Sequence, residues 1–436
     1  MIKQIAFITV LIITILVFVY TAIKVYKFFK ITKPAFKIRN FGKRIILTFN
    51  VVFLQSKIFR MPVLGFLHAL VFWGFCVILF GSLEMIIDGI FGLERVLSPL
   101  GIVYDVLLAA GDIYALLIAI AIVVFLFRRV FMHVKRFEGI EMKKKSHQDA
   151  NLALTIILFL MLSLTGMNVF YLNLGIETVG VYPVSKFIAP LFSNLDHSTT
   201  HLLYEISWWS HILLIFIFAN ILPYSKHFHV FMSVPNVFLS NLEPLGKLKT
   251  MESITKEVKL MMDPDAAFAT PAEGEGTDIE RFGVLDIEDI NWKNYLDSLS
   301  CTQCGRCTAV CPANITGKML SPRKILIDVR ARMKERGPCI IRNKDITDAK
   351  SLIRDYISEE ELWACTTCNA CAQECPININ HPSLIIDMRR YLVMEESVAP
   401  AELNTTFSNI ENNGAPWQFS QKDRMLWAEN LEMNEI

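Results

Sequence analysis

The 436-residue chain is predicted to be all-α: a five-helix transmembrane bundle followed by a helical cytoplasmic domain. Three observations predict this. The mean hydropathy is +0.41 and only 19% of residues are charged, which is too apolar for a wholly soluble chain. Five apolar runs, around residues 5–26, 62–83, 103–127, 150–171 and 206–231, can each supply the about 20 helical residues that cross about 30 Å of hydrocarbon. Eight of the ten cysteines lie in two short clusters near the C-terminus, in a segment with helical periodicity and no alternating strand pattern.

The elements follow in order. The first run ends in Lys24, Lys27 and Lys30, and Thr21-Ala22 is a weak cleavage site, so it reads as a retained helix rather than a signal peptide. Residues 30–60 carry Lys30, Lys33, Lys37, Arg39, Lys43, Arg44, Lys57 and Arg60 without an acid. Residues 128–146 carry Arg128, Arg129, Lys135, Arg136 and Lys143 to Lys145. Basic loops stay inside, so both are expected in the cytoplasm. The alternate loops hold mainly Glu84, Asp88, Glu94 and Asp105, and Glu177, Asp196 and Glu205. The N-terminus is then outside and everything after the fifth helix inside. Ile45 to Phe59 is apolar but broken by Asn50, Gln55 and Lys57, as suits a short helix at the membrane interface.

From about residue 240 the composition turns soluble, and Pro264 to Gly276 reads as a flexible linker. The expected domains are 1–235 in the membrane, 236–285 as linker, 286–400 around the cysteines and 401–436 as a partly ordered tail. Helices are expected over Pro322–Glu335, Ile346–Ile357 and Pro382–Glu396. The formal charge of +1 gives no reason to invoke nucleic acid as a partner.

The cysteines carry the strongest chemical signal. Cys301, Cys304, Cys307 and Cys311 precede Pro312 in a C-x2-C-x2-C-x3-C-P run, and Cys365, Cys368, Cys371 and Cys375 repeat it before Pro376. Such runs hold two [4Fe-4S] clusters, the fourth cysteine of each ligating the other cluster. The expected sets are Cys301, Cys304, Cys307 and Cys375 for one, and Cys365, Cys368, Cys371 and Cys311 for the second. Structural zinc needs only four ligands and no such duplicate, and disulfides do not suit a reducing cytosol. Cys76 and Cys339 fit no motif and read as packing residues. Arg306, Arg323, Lys324 and Arg330 read as a solvated helix face, or else as a docking surface for an acidic partner.

Ionisable residues within membrane spans are functional candidates. His68 lies near the cytoplasmic end of the second run. His211 and His229 bracket the fifth helix, 18 residues or five whole turns apart, so both imidazoles are expected to point the same way, about 27 Å apart in depth. His68 and His229 would then lie at similar depth, a suitable axial pair for a b-type haem. His211 lacks a histidine partner in Ile78 to Ile86, and is left either as a ligand of a second haem or as a hydrogen-bond partner of a quinone head group. His197, His201 and His227 read as interfacial, and Trp73, Trp208 and Trp209 as packing or belt aromatics.

With these residues in view, the membrane half resembles the cytochrome b subunit of respiratory nitrate reductase and its relatives. The resemblance rests on His68 to Phe75, Trp208 to His211, and the Pro223 to Lys226 turn before His229. Residues Trp292 to Pro312 and Leu362 to Pro376 resemble the ferredoxin-like part of heterodisulfide reductase and glycerol-3-phosphate dehydrogenase iron–sulfur subunits. The fused order is similar to membrane Fe–S oxidoreductases working between a soluble donor, in some members electron-transfer flavoprotein, and menaquinone. Two departures stand out. No Cys-Cys pair and no cysteine follow Cys375, so CCG-type chemistry is expected on a separate Fe–S subunit. The family's second histidine of the second helix would fall near Ile78, which removes one ligand of an outer haem.

The resemblance implies an electron-transfer subunit of a quinone-linked oxidoreductase in the bacterial inner membrane, with haem b and two [4Fe-4S] clusters. Substrate chemistry would sit on a partner, since no dinucleotide-binding or P-loop motif is present. The alternative from another class is a membrane Fe–S maturation factor for a respiratory oxidase.

Overall fold

The computed structural model describes residues 1–175, 178–263, 281–342 and 348–429. The expected linker from Pro264 to Gly276, and Glu177, lie outside the described residues. The described chain is helical and contains no strand, as the patterning predicts.

Among the described residues five helices are long and apolar enough to cross a membrane: Ile2–Phe29, Pro62–Phe91, Ile102–Val130, Lys144–Asn173 and the stretch His197–Tyr224. Their ends follow local chemistry. Pro62 opens the second span, where its missing N–H costs nothing. Gly92, at φ +68°, closes it in the left-handed conformation. Asp196 caps the fifth, accepting from the Thr199 N–H at 3.0 Å. The first and second spans approach closely at Gly89, where a Cβ would sit 2.5 Å from the Phe7 ring. Phe7 in turn packs on Trp208 of the fifth span, ring centroids 5.8 Å apart. Ala115, Ile118, Ile122 and Leu160 seal the third span against the fourth.

The fifth span ends sooner than the apolar run suggests. Regular helix stops at Ile221, because Pro223 has no N–H to give and turns the chain through a short 3-10 segment. A second 3-10 turn, Lys226–Phe228, leads into a separate helix, His229–Phe238. His211 and His229 are therefore not on one helix, and the five-turn spacing does not describe their geometry. The interfacial segment forms as a helix over Phe41–Thr48 followed by a π turn over Phe49–Phe53, with Phe41, Ile45, Ile46, Phe49 and Phe53 exposed.

Met1–Lys249 and Asp286–Ser383 form one compact unit. Within it the cysteine-bearing segment is held by four stretches: the two basic loops, the turn after the fifth span and the helix His229–Phe238. Lys33 and Asn291 form a backbone bridge, with Lys33 N–H on the Ile290 carbonyl at 2.9 Å. Arg60 donates to the Gln373 carbonyl at 2.8 Å, and Asn236 to that of Ile377 at 2.9 Å. The Arg330 guanidinium closes on the Pro223 and Ser225 carbonyls at 3.2 and 2.9 Å. Arg323, 1% exposed, donates to Glu141 at 2.8 Å and to the Arg136 and Glu138 carbonyls at 2.7 and 2.6 Å. Breaking an ion pair buried this deeply costs about 3–5 kcal/mol, because one charge is left unpaired away from water.

These contacts correct the reading of the basic residues. Arg306, Arg323 and Arg330 are buried and direct their donors at loop carbonyls, neither solvated nor free to meet a partner. Lys324 is half-buried between Asp328 and Glu361. Of the expected helices, Pro322 starts one that runs to Ile341, past Glu335, and another spans His381–Met394. The segment expected to be helical over Ile346–Ile357 has only a turn at Leu352–Asp355, where Ile353 is extended and Arg354 is at φ +78°. Residues 346 and 347 lie outside the described residues.

Thr250–Leu285 and Leu384–Ile436 form a second compact unit. It contains helices Glu252–Met262 and Ala401–Asn413. Gly283 is required here: it sits at φ +74°, and a Cβ would meet the Asp387 carbonyl oxygen at 2.3 Å.

Candidate functional site

Both cysteine runs adopt the same backbone. In C-T-Q-C-G-R-C, Gln303 and Gly305 are left-handed at φ +57° and +75°; in C-T-T-C-N-A-C, Thr367 and Asn369 repeat this at +54° and +61°. Glycine and asparagine are the residues that accept this conformation most readily. Each loop then enters a short helix, Arg306–Ala309 and Ala370–Glu374. Successive left-handed residues curl the chain so that backbone N–H groups face inward, a concavity suited to an anionic centre. The Thr367 N–H already points at the Cys365 sulfur, at 3.4 Å.

The loops bring the cysteines into two sets. Cys301, Cys304, Cys307 and Cys375 border one small cavity together with Arg323 and His381. Cys371 lies within electrostatic range of Cys311, Cys365 and Cys368, and Cys307 within range of Cys371, so the two sets adjoin. Among the described residues no three cysteine, histidine or acidic side chains converge as a single ion would require; the four thiols surround a volume instead. Burial pushes the Cys301 thiol up to about 11, and those of Cys371 and Cys375 up to about 12. Without metal these thiols keep their protons at neutral pH, and loading must release them. The second set is wetter, with Cys368 exposed and Cys365 half-buried.

Of the membrane histidines, His68 is close enough to His229 and Arg306 for their charges to act on it. The His229 Nδ1–H is directed at the Lys226 carbonyl at 3.4 Å, and the His68 Nδ1 is buried without a partner. His211 lies apart from them, buried at 2% exposure, its Nδ1–H donating to the Leu160 carbonyl at 3.0 Å with Ser163 Oγ at 3.1 Å. That bond leaves Nε2 as an acceptor. His211 borders a cavity of about 360 Å³ shared with Ile78, Glu84, Arg95, Tyr104 and Trp208. Arg95 stacks over Tyr171 at 4.5 Å, and Tyr104 donates to Glu84 at 3.1 Å.

Two features escaped the sequence reading. His381 stands five residues beyond the second Cys-Pro, a short-range signal that was available. The polar group of Glu84, Arg95 and Tyr104 is assembled from a helix end, a loop and the next helix, and no linear pattern announces it.

The class of protein follows from this geometry and one match. Residues 300–379 match the 4Fe-4S dicluster domain family. The chain thus joins a segment matching a 4Fe-4S dicluster domain to five long apolar helices among the described residues. It is 31% identical over 431 residues to the probable iron-sulfur-binding oxidoreductase FadF of Bacillus subtilis, covering 91% of this chain and 57% of that one. It is 27% identical over 425 residues to the EtfAB:quinone oxidoreductase of Syntrophomonas wolfei, covering 91% and 55%. Over 106 residues it is 36% identical to one component of the ferredoxin/F(420)H(2)-dependent CoB-CoM heterodisulfide reductase of Methanosarcina acetivorans, covering 24% and 52%. The chain spans little more than half the length of the first two relatives. No solved structure matches it.

Proposed function

We propose that the chain is an integral-membrane subunit that passes electrons between a soluble redox partner in the cytoplasm and a quinone, in the inner membrane of a bacterium with its N-terminus outside. The observation that carries this reading is the seating of the four-cysteine cavity on the loops next to His68 and His229. Arg306 ties them together: it follows Gly305 in the first cysteine loop, donates to the Lys57 carbonyl at 2.9 Å, and lies within range of His68. The residues fit the groups they would hold. Cys301, Cys304, Cys307 and Cys375 would ligate one [4Fe-4S] cluster, Cys311, Cys365, Cys368 and Cys371 the other, and His68 and His229 a b-type haem. When bound, these groups supply one-electron carriers.

The rest is the work of the protein's own side chains. The Lys226 carbonyl orients the His229 ring by taking its Nδ1–H, which leaves Nε2 for iron. The Leu160 carbonyl does the same for His211, and its Nε2 then suits a hydrogen bond to a quinol hydroxyl in the cavity beside it. A volume of about 360 Å³ is in the range that small ligands occupy. The reading puts a quinone head group there, and a second haem is not needed. The name of the Syntrophomonas wolfei relative supports a flavoprotein as donor, and the heterodisulfide reductase relative, itself one subunit of a complex, supports a separate partner subunit.

His211→Leu tests the quinone assignment. It should reduce the rate of quinone reduction by reduced protein at least tenfold while the haem spectrum and haem content remain those of the parent chain. Loss of half the haem would instead make His211 a ligand and move the quinone elsewhere.

A further inference from the structure

The two four-cysteine sets sit in different electrostatic surroundings. Around Cys301, Cys304, Cys307 and Cys375 the protein gathers cations from every stretch packed against it. Arg323 borders the cavity itself. The Lys57 ammonium donates to the Cys375 carbonyl at 3.2 Å. The Lys226 ammonium, 7% exposed, is fixed on the Ser146 carbonyl and hydroxyl at 2.6 and 3.0 Å, and that hydroxyl donates to Gln303 inside the first cysteine loop. Arg136 is within electrostatic range of Cys304 and Arg330 of Cys301, and Arg60 and Arg306 close on Glu374 next to Cys375. Facing them are three carboxylates: Glu141 on Arg323 at 2.7 Å, Glu374 on Arg60 and Arg306 at 3.3 and 3.8 Å, and Asp149, which accepts the Lys226 backbone N–H at 3.0 Å. Among the described residues, these seven cations against these three carboxylates leave the site with a surplus of positive charge in a poorly solvated place.

His381 adds a second, independent observation. It borders the same cavity and is 1% exposed; the Ile379 carbonyl acts on its ring, but no hydrogen bond of normal geometry satisfies its Nδ1. A buried polar atom left unsatisfied calls for an explanation, and an acceptor held within the cavity supplies one. The other set differs: Cys368, Thr366 and Thr367 are exposed and meet water.

We propose that Lys57, Lys226 and His381 form a charged and hydrogen-bonding collar that raises the reduction potential of the group held by Cys301, Cys304, Cys307 and Cys375 above that of the group held by Cys311, Cys365, Cys368 and Cys371. This rests on the ligand sets of the proposed function and adds the order in which they fill. Four thiolates around a cubane give a dianion that becomes a trianion on reduction. Net charge and hydrogen bonds to sulfur are levers that set such potentials. The collar stabilises the more negative state at the buried site, and the exposed site, open to a soluble partner, lacks it. The three collar residues are positioning residues: they act through the cluster and do not themselves transfer electrons.

The test is a redox titration of the full chain in detergent, purified anaerobically and followed by electron paramagnetic resonance, with the buried site's signal identified as the one lost in Cys304→Ala. Lys57→Met and His381→Leu should each lower that signal's midpoint potential and leave the other signal in place, which also shows that the protein has folded. Lys57→Arg, which keeps the charge, should restore the parent value. Two intact signals with either variant leaving the buried potential where it was overturn the collar while the ligand sets stand. A chain that shows no cluster signal overturns the ligand sets and the collar together.

Discussion

Cys304→Ala is expected to abolish one of two [4Fe-4S] signals and to halve the iron, from about eight atoms per chain to about four. Cys304 borders the cavity with Cys301, Cys307 and Cys375, and alanine leaves one corner of that cavity without a ligand. Cys311→Ala is the telling companion. It belongs to the same run, seven residues on, yet it lies within range of Cys371 in the other set. It should remove the other signal and spare the first. The two signals, not the total iron, decide: if Cys304→Ala and Cys311→Ala remove the same one, each run ligates its own cluster and the crossing is wrong. Because each cluster would join residues some 60 positions apart, either loss should also loosen the segment, visible as faster proteolysis between the runs.

His68→Ala and His229→Ala are each expected to eliminate haem, read as loss of the b-type α-band in the reduced-minus-oxidised spectrum. The two residues arrive by different routes. His68 comes from the start of the second span, which Pro62 opens. His229 comes from the first turn of a separate helix beyond Pro223, its ring held on the Lys226 carbonyl. With one axial nitrogen gone, His227, whose ring lies 5.9 Å from that of His229, is a substitute at hand, but it is not placed on the axis the missing ring leaves. Cluster signals should survive both substitutions. An unchanged α-band in either variant would make that histidine structural.

How much of this was legible depends on range. The five spans were readable because a membrane demands one long apolar run for each, and the cysteine runs because their ligands are local. The fifth span misled for a definite reason: apolar residues continue past Ile221, but Pro223 ends the helix, so hydropathy overrode a backbone signal in plain view. Arg306, Arg323 and Arg330 misled for the opposite reason. Their charge suggested water, whereas carbonyls of the loops and Glu141, far away in sequence, supply the compensation. The helix expected near Ile346–Ile357 had the right residues, yet Ile353 is buried in an extended conformation that pairs with Ile357. His381 lines the cavity, Lys57 bonds the Cys375 carbonyl and Lys226 holds Ser146 against Gln303 only because three separate stretches close around one set of cysteines, which no window on a single sequence contains.

The most direct measurement is made on the unmodified chain: purify it anaerobically, count iron, acid-labile sulfide and zinc, and record the reduced-minus-oxidised spectrum. About eight iron and eight sulfide per chain, no stoichiometric zinc, and a b-type α-band are expected. Iron–sulfur clusters without an α-band would contradict the haem and favour the maturation factor. A colourless preparation, or one holding zinc in place of iron, would contradict the electron-carrying role altogether.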